Sequence, residues 1–229
     1  MSMIQRAITT PMPRCPQPAP LADLRFRQLL GAAAWDRLPD RVRHRFGKRL
    51  GPGQSASYAG QVLDCRMSIA GWLLAQACRL IGAPLPLERG GDLAAVVSVT
   101  EDGASGGQVW TRLYARRQGF PQVIHSAKRF AGPTGLEEYL GLGLGFGIAL
   151  TVTAENQGIR FASDHYFLRL GRFRLKLPRL LAPGHLTIDH LDRGAGAFTF
   201  TLALRHRLLG EMMRQTSLFH DQTHAGDLP

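Results

Sequence analysis

From residue 90 almost to its end, this chain repeats its apolar residues at every second position. A period of two belongs to β-strands, whose successive side chains leave opposite faces. The spacing predicts strands over Leu93 to Thr100, Gln108 to Ala115, Gln122 to Phe130 and Leu150 to Ala154. It continues over Ile159 to Leu170, Arg172 to Leu177, His185 to Leu191, Ala197 to His206 and Met212 to Phe219. Turn formers separate them: Asp102-Gly103, Gly106-Gly107, Asn156-Gln157-Gly158, Ala182-Pro183-Gly184 and Gly194-Ala195-Gly196. Strands in such close succession join as hairpins, so the sheet is antiparallel and βαβ units are excluded.

The first third reads differently. Leu24, Leu29, Leu30, Ala33 and Ala34 recur at helical spacing, and Pro39-Asp40 marks a second helix start. Ser57 to Met67 alternates as a strand. Ile69 to Ile81 is apolar on most sides and ends at Gly82-Ala83-Pro84, which predicts a helix buried against more than one surface. It is far short of the roughly 20 residues of a membrane span. The expected class is α+β: N-terminal helices plus a long curved antiparallel sheet, a partial barrel, packed around a buried helix. A Pro-rich disordered leader over residues 1–20, one domain over 21–221 and a flexible tail over 222–229 complete the expected organisation.

Composition narrows function only a little. The net charge is +11 and the cations are almost all Arg, with Lys at Lys48, Lys128 and Lys176 alone. No recognition-helix or RNA-binding motif accompanies that charge, so nucleic acid ranks last among partners. The basic run Arg169, Arg172, Arg174, Lys176 and Arg179 suits anionic lipid headgroups, and a charge-guarded sheet edge explains it equally well. Cys15, Cys65 and Cys78 form no C-x-x-C pair. With no apolar stretch before residue 20 to make a signal core, the expected compartment is cytoplasmic.

Four patterns carry candidate chemistry. Gly141 to Gly147 places glycine at every second position, yet contains no G-x-G-x-x-G, so a bending strand or a close backbone approach is expected. Trp110, Arg112, Tyr114 and Arg116 share one strand face, and aromatics beside Arg clamp anionic ligands or pack by cation–π contact. Phe198 and Phe200 share a face with Leu202, Leu204 and His206. His190 and His165 fall in phase with apolar neighbours too, so three histidines are candidates for one interior. They lack the short-range ligand spacing of a metal site, and no metal is expected. Asp164-His165 and Asp189-His190 are neighbours whose side chains leave opposite faces of a regular strand. Glu211 is placed to meet His206 across a tight turn.

Tyr58-Ala59-Gly60, Pro84-Leu85-Pro86, Val109-Trp110-Thr111-Arg112, Leu177-Pro178 with Pro183-Gly184, Phe198-Thr199-Phe200 and His206 to Glu211 carry a resemblance. Over about Leu38 to Asp221 the chain resembles the bacterial family of domain of unknown function four-one-six-six. Arg207 stands where that family usually has proline. The resemblance implies no established activity. The family's fusions to reductase-like domains imply a small-molecule or lipid-linked context and a reductase-like partner protein.

The residues support a binding module whose curved sheet encloses an apolar or amphipathic small molecule, with Trp110, Arg112, Tyr114, Phe198 and Phe200 against it. The alternative is an enzyme using the same cavity, with His206, His165, His190 and Glu211 as acid–base groups. Neither reading names a cofactor.

Overall fold

The structure, a computed structural model, describes residues 21–141 and 145–221. The expected leader and tail, and Leu142 to Leu144 of the glycine run, lie outside the described residues.

Alternation becomes strand nearly everywhere it was read. The long strands are β3 (Ser55–Met67), β4 (Leu93–Asp102), β5 (Gly107–Tyr114), β6 (Gln122–Arg129), β7 (Leu136–Leu140) and β8 (Phe146–Glu155). They continue with β9 (Gly158–Leu170), β10 (Phe173–Lys176), β11 (His185–Gly194), β12 (Ala197–His206) and β13 (Gly210–Asp221). Every pairing is antiparallel, in the order β9-β11-β12-β13-β3-β4-β5-β6-β7-β8. β8 then pairs back to β9, with Val152 opposite Phe161 and Phe146 opposite Leu168. Ten strands therefore close into a barrel, and β10 is a short flap hydrogen-bonded to the far end of β9. This corrects the expected partial barrel, and with 54% of the described residues in strands the fold is mostly β, not α+β.

Closure depends on corners that alternation does not reveal. One extra residue is inserted at Asp164 in β9, at Met212 in β13 and at Leu63 in β3, where the registers shift. Such bulges bend and twist a strand, which a small closed barrel requires. The interior is filled by side chains that include Leu136, Leu150, Ile159, Phe161, Phe167 and Met213, all nearly or fully buried.

The helices sit at the barrel's two ends. α1 (Arg25–Leu30), α2 (Ala32–Asp36) and α3 (Asp40–Gly47) close one end, and a clip between β1 (Leu21–Ala22) and β2 (Lys48–Arg49) fastens them. Pro39 stands as the residue before α3, as its sequence suggested. Phe26 drives into the end of the barrel and meets Phe46 and Phe130 edge-on at 5.1 and 5.0 Å.

α4 (Ile69–Ala77), continued by a 3₁₀ turn over Cys78–Ile81, belongs to the opposite end. It starts at the end of β3, where the Ser68 hydroxyl caps the Gly71 amide at 3.1 Å. Gly71 lies so close to the Met212 carbonyl that any Cβ would collide with it. The segment's far end is held the same way, with the Ile81 carbonyl against Gly141, whose φ is +66°. The close approach expected of the glycine run is realised there, and again where Gly147 lies under the Phe167 ring. α4 is thus a strap across an opening, not the buried helix expected, and Ile69, Leu73 and Leu80 face outward. The chain returns past Gln122, whose amide nitrogen donates to Ala83 O and Leu85 O while its oxygen accepts from Leu87 N.

Candidate ligand cavity

Beneath the strap lies a cavity of about 260 Å³. Leu74, Cys78 and Ile81 form its roof, and Leu181 with Pro183 from the β10–β11 connection completes the rim. Its walls are inward strand residues, predominantly apolar, among them Ile124, Phe146, Ile188 and Leu202. Burial raises the Cys78 thiol, so this sulfur stays protonated and unreactive near neutrality.

A buried ionic group interrupts that lining, beside the polar Gln215, Tyr114 and Tyr166. The Arg112 guanidinium donates to the Ser126 hydroxyl at 2.9 Å and to Glu138 Oε1 at 3.4 Å. Ser126 donates to the same carboxylate oxygen at 2.6 Å, and Lys128 Nζ stands 3.1 Å from Oε2. All four residues are buried. Burial by itself raises a carboxyl, but Lys128, Arg112 and the Ser126 hydroxyl outweigh it and hold Glu138 at about 2. Burial pulls the Lys128 ammonium down, against the attraction of Glu138. Two cations thus share one carboxylate inside the barrel, an arrangement that tolerates an additional anion better than an additional cation.

Arg112 and Phe200 border a second space of about 40 Å³ on the helical side, which Trp110, Tyr58, Arg45, Phe198 and His190 also line. The guanidinium lies 5.7 Å from the Trp110 ring and 5.8 Å from Phe200. Trp110, Arg112, Tyr114, Phe198 and Phe200 therefore all point inward, with Tyr114 and Phe200 on the larger cavity and Trp110 and Phe198 on the smaller. Arg116 departs from the expected row: it lies past the end of β5 and pairs with Glu88 at 3.4 Å.

The three histidines do not meet. His190 is interior as its phase suggested, stacked 4.5 Å from Phe198 and edge-on to Phe46 at 5.0 Å. Burial, reinforced by Arg45, pushes its imidazole down to about 3, and its buried Nδ1 has no hydrogen-bond partner among the described residues. His165 lies in the wall, where the Asp164 bulge breaks strand phase. As a result Asp164 and His165, expected on opposite faces, bond to each other at 2.6 Å. Arg174 approaches the other ring nitrogen at 3.3 Å. Asp189 and His190 do separate, Asp189 pairing outside with Arg160 at 2.6 Å. His206 keeps its phase but sits at the strand's last position, at the rim. There its Nδ1 accepts from the Leu208 and Leu209 amides at 3.3 Å and caps the hairpin turn. Glu211 pairs with Arg214 at 2.6 Å instead of with His206.

Ser126, Lys128 and Glu138 were not singled out from sequence. Ser126 and Lys128 carry a readable signal, since Gln122, Ile124, Ser126 and Lys128 alternate inward along β6. Glu138 carries none, because Glu137-Glu138 reads as a polar break.

Closed antiparallel topology, with an apolar cavity bordered by a buried ionic group, defines a ten-stranded β-barrel. The model of the family described as domain of unknown function (DUF4166) matches residues 38–219, and the chain belongs to that family. The matched stretch runs from the end of α2 through all of the barrel strands to Phe219 in β13. Neither a curated protein nor a solved structure matches the chain.

Proposed function

We propose that the barrel binds an amphipathic small molecule with an anionic end, its apolar part under the strap and its charged end toward Arg112. The observation that carries this reading is the cavity itself: 260 Å³ of mainly apolar lining meeting a buried group in which two basic side chains share one carboxylate. That volume lies just under the roughly 300–1,000 Å³ of ordinary ligand pockets, which suits a small ligand or one end of a longer one. Arg112 supplies the planar donor fork that carboxylates fit, while Tyr114 and Phe200 flank it. The acid–base alternative has no comparable support. His190 opens on the smaller space and is held neutral, and His165 and His206 line neither space.

A fluorescent fatty-acid analogue titrated into the protein tests the reading. The expected result is saturable uptake, weaker by about tenfold or more for the same probe capped as a neutral amide. Leu202→Trp, which fills the cavity from its wall, is expected to abolish uptake while the unfolding midpoint is retained. Absence of saturable uptake, or equal uptake by Leu202→Trp, overturns it.

A further inference from the structure

The end of the barrel above the cavity does not look like a surface meant for water. Ile69 and Leu80 on the strap are 78% and 86% exposed, Leu180 beside it 91%, and Leu208 at the β12–β13 turn 82%. Phe120, from the β5–β6 connection at the same end, is 91% exposed. Topology puts these positions together. β3, β5, β7, β9 and β12 all finish at this end and β10 folds back from it, so the connections after these strands ring one opening.

Charge there is predominantly positive. Arg79, Arg172, Arg179 and Arg207 are exposed on the same connections, and Lys176 and Arg205 on the strand ends beside them. Most nearby carboxylates are already engaged, Glu88 by Arg116 and Arg117, Glu211 by Arg214, and Asp164 by His165, while Asp92 on the β3–β4 connection is exposed. Isolated exposed leucines need no explanation, but protruding apolar tips interleaved with unneutralised Arg around a cavity mouth do. The flanks of the barrel are different in kind. Many of their outward residues form polar pairs such as Thr111 with His125, Arg160 with Asp189 and Thr201 with Thr216, and the outward apolar Leu63, Val96, Leu113 and Val123 are only about half as exposed as the tips at the mouth. A barrel spanning a bilayer carries a continuous apolar band outward, which these polar pairs interrupt.

We infer that this mouth docks on an anionic lipid bilayer, the leucines and Phe120 entering the interface and the arginines meeting the headgroups. Charge complementarity selects the occupant, because the ring offers cations in excess to a leaflet of opposite sign. Strap geometry agrees. The strap carries apolar groups on both sides, Leu74 and Ile81 toward the cavity and Ile69 and Leu80 outward. The inference extends the proposed ligand reading by naming the phase from which an apolar ligand would come, but its test does not depend on that reading.

Co-sedimentation with vesicles of equal parts phosphatidylglycerol and phosphatidylcholine, against vesicles of phosphatidylcholine alone, decides it. The full chain is expected to bind the anionic vesicles about tenfold or more tightly, with partial loss as salt rises. The double variant Leu180→Asp with Leu208→Asp is expected to lose that binding by about tenfold or more. Both side chains are almost wholly exposed, so its circular dichroism and unfolding midpoint should match the parent. Leu24→Asp, at the helical end, serves as the control and should bind like the parent. No sedimentation with anionic vesicles, or equal sedimentation of the double variant, overturns the inference. So does a parent that forms dimers dispersed by the double variant while ignoring vesicles, which would make the mouth a protein interface. Vesicle binding without uptake of the fatty-acid probe leaves docking standing and removes the ligand reading; uptake without vesicle binding does the reverse.

Discussion

One end of this barrel is sealed and the other is bridged. At the sealed end, α1 and α3 insert Phe26, Val42 and Phe46, all nearly inaccessible, against Phe130, Phe161 and His190. The Arg45 side chain, 5% exposed, ties that plug to the barrel through Asp221 at 2.8 Å and Asp192 at 3.2 Å. At the bridged end a single strap crosses the opening, touching its neighbours through backbone at Gly71 and Gly141 while its largest side chains face outward. Burial is the main source of stability, so the sealed end should carry much of the folding free energy and the mouth little. Separating the two lets the mouth move and contact a partner without putting the fold at risk.

The strongest challenge to this contrast is Phe26→Ala. The ring is fully buried and makes three aromatic contacts, so its removal leaves a cavity that three elements would have to collapse to fill. The expected loss is about 3–5 kcal/mol in denaturant unfolding. A loss below about 1 kcal/mol would mean the helices are an accessory and the two ends are equivalent.

Strand positions were legible because each strand keeps one face apolar, and hairpin turns carry Gly, Asn or Pro. Closure was not legible. It needs β7, where Glu137 and Glu138 interrupt the apolar pattern and are nevertheless buried against Arg174, Lys128 and Arg112. Partners distant in sequence supply the charge that makes a strand of an apparently polar segment. The same limit applies to the site. Parity placed Arg112, Tyr114, Phe198, Phe200 and His190 correctly inside, since no bulge precedes them on their strands. It failed at His165, just past the Asp164 bulge, and it could not tell that His206 ends its strand at the rim. The strap shows a further ambiguity. A segment apolar on all sides reads as buried, although one side of it faces a cavity and the other the exterior.

His190 sharpens the contrast through pH, with an intermediate effect. Its imidazole lies between Phe46 of the plug and Phe198 of the wall, with Arg45 and Asp221 as the charged groups nearby. The folded-state value is near 3, below the ordinary 6.5 of an unfolded chain, so between these values the unfolded state binds more protons. Stability contributed by the neutral ring is then complete above about 6.5 and is lost as pH falls toward 3. Each unit of that window is worth about 1.4 kcal/mol. Glu138 begins to contribute only below about 4.5, whereas burial raises Glu101, so the part of the slope between 6.5 and 4.5 that His190→Phe removes is the part that belongs to His190. His190→Phe, which keeps an aromatic ring in the stack, should flatten the unfolding midpoint across that stretch. An unchanged slope would show that the sealed end admits water to the ring.

The smallest expected effect falls on the strap. Leu80 is 86% exposed in the structure, so its side chain stays almost as wet folded as unfolded. Hydrophobic stabilisation scales with area removed from water, and here almost none is removed. Leu80→Ser should therefore change the free energy of unfolding by no more than about 0.5 kcal/mol, the ordinary range for surface substitutions. Helix propensity adds little, because the residue sits in the 3₁₀ turn after α4 and not in its interior. Denaturant unfolding at low protein concentration measures this directly, and repetition at high concentration checks for self-association. A loss above about 1 kcal/mol at low concentration would place Leu80 inside a packed interface within the monomer, and the mouth would then be a second sealed end. A loss that appears only at high concentration would instead show the parent's strap pairing with another copy of the chain.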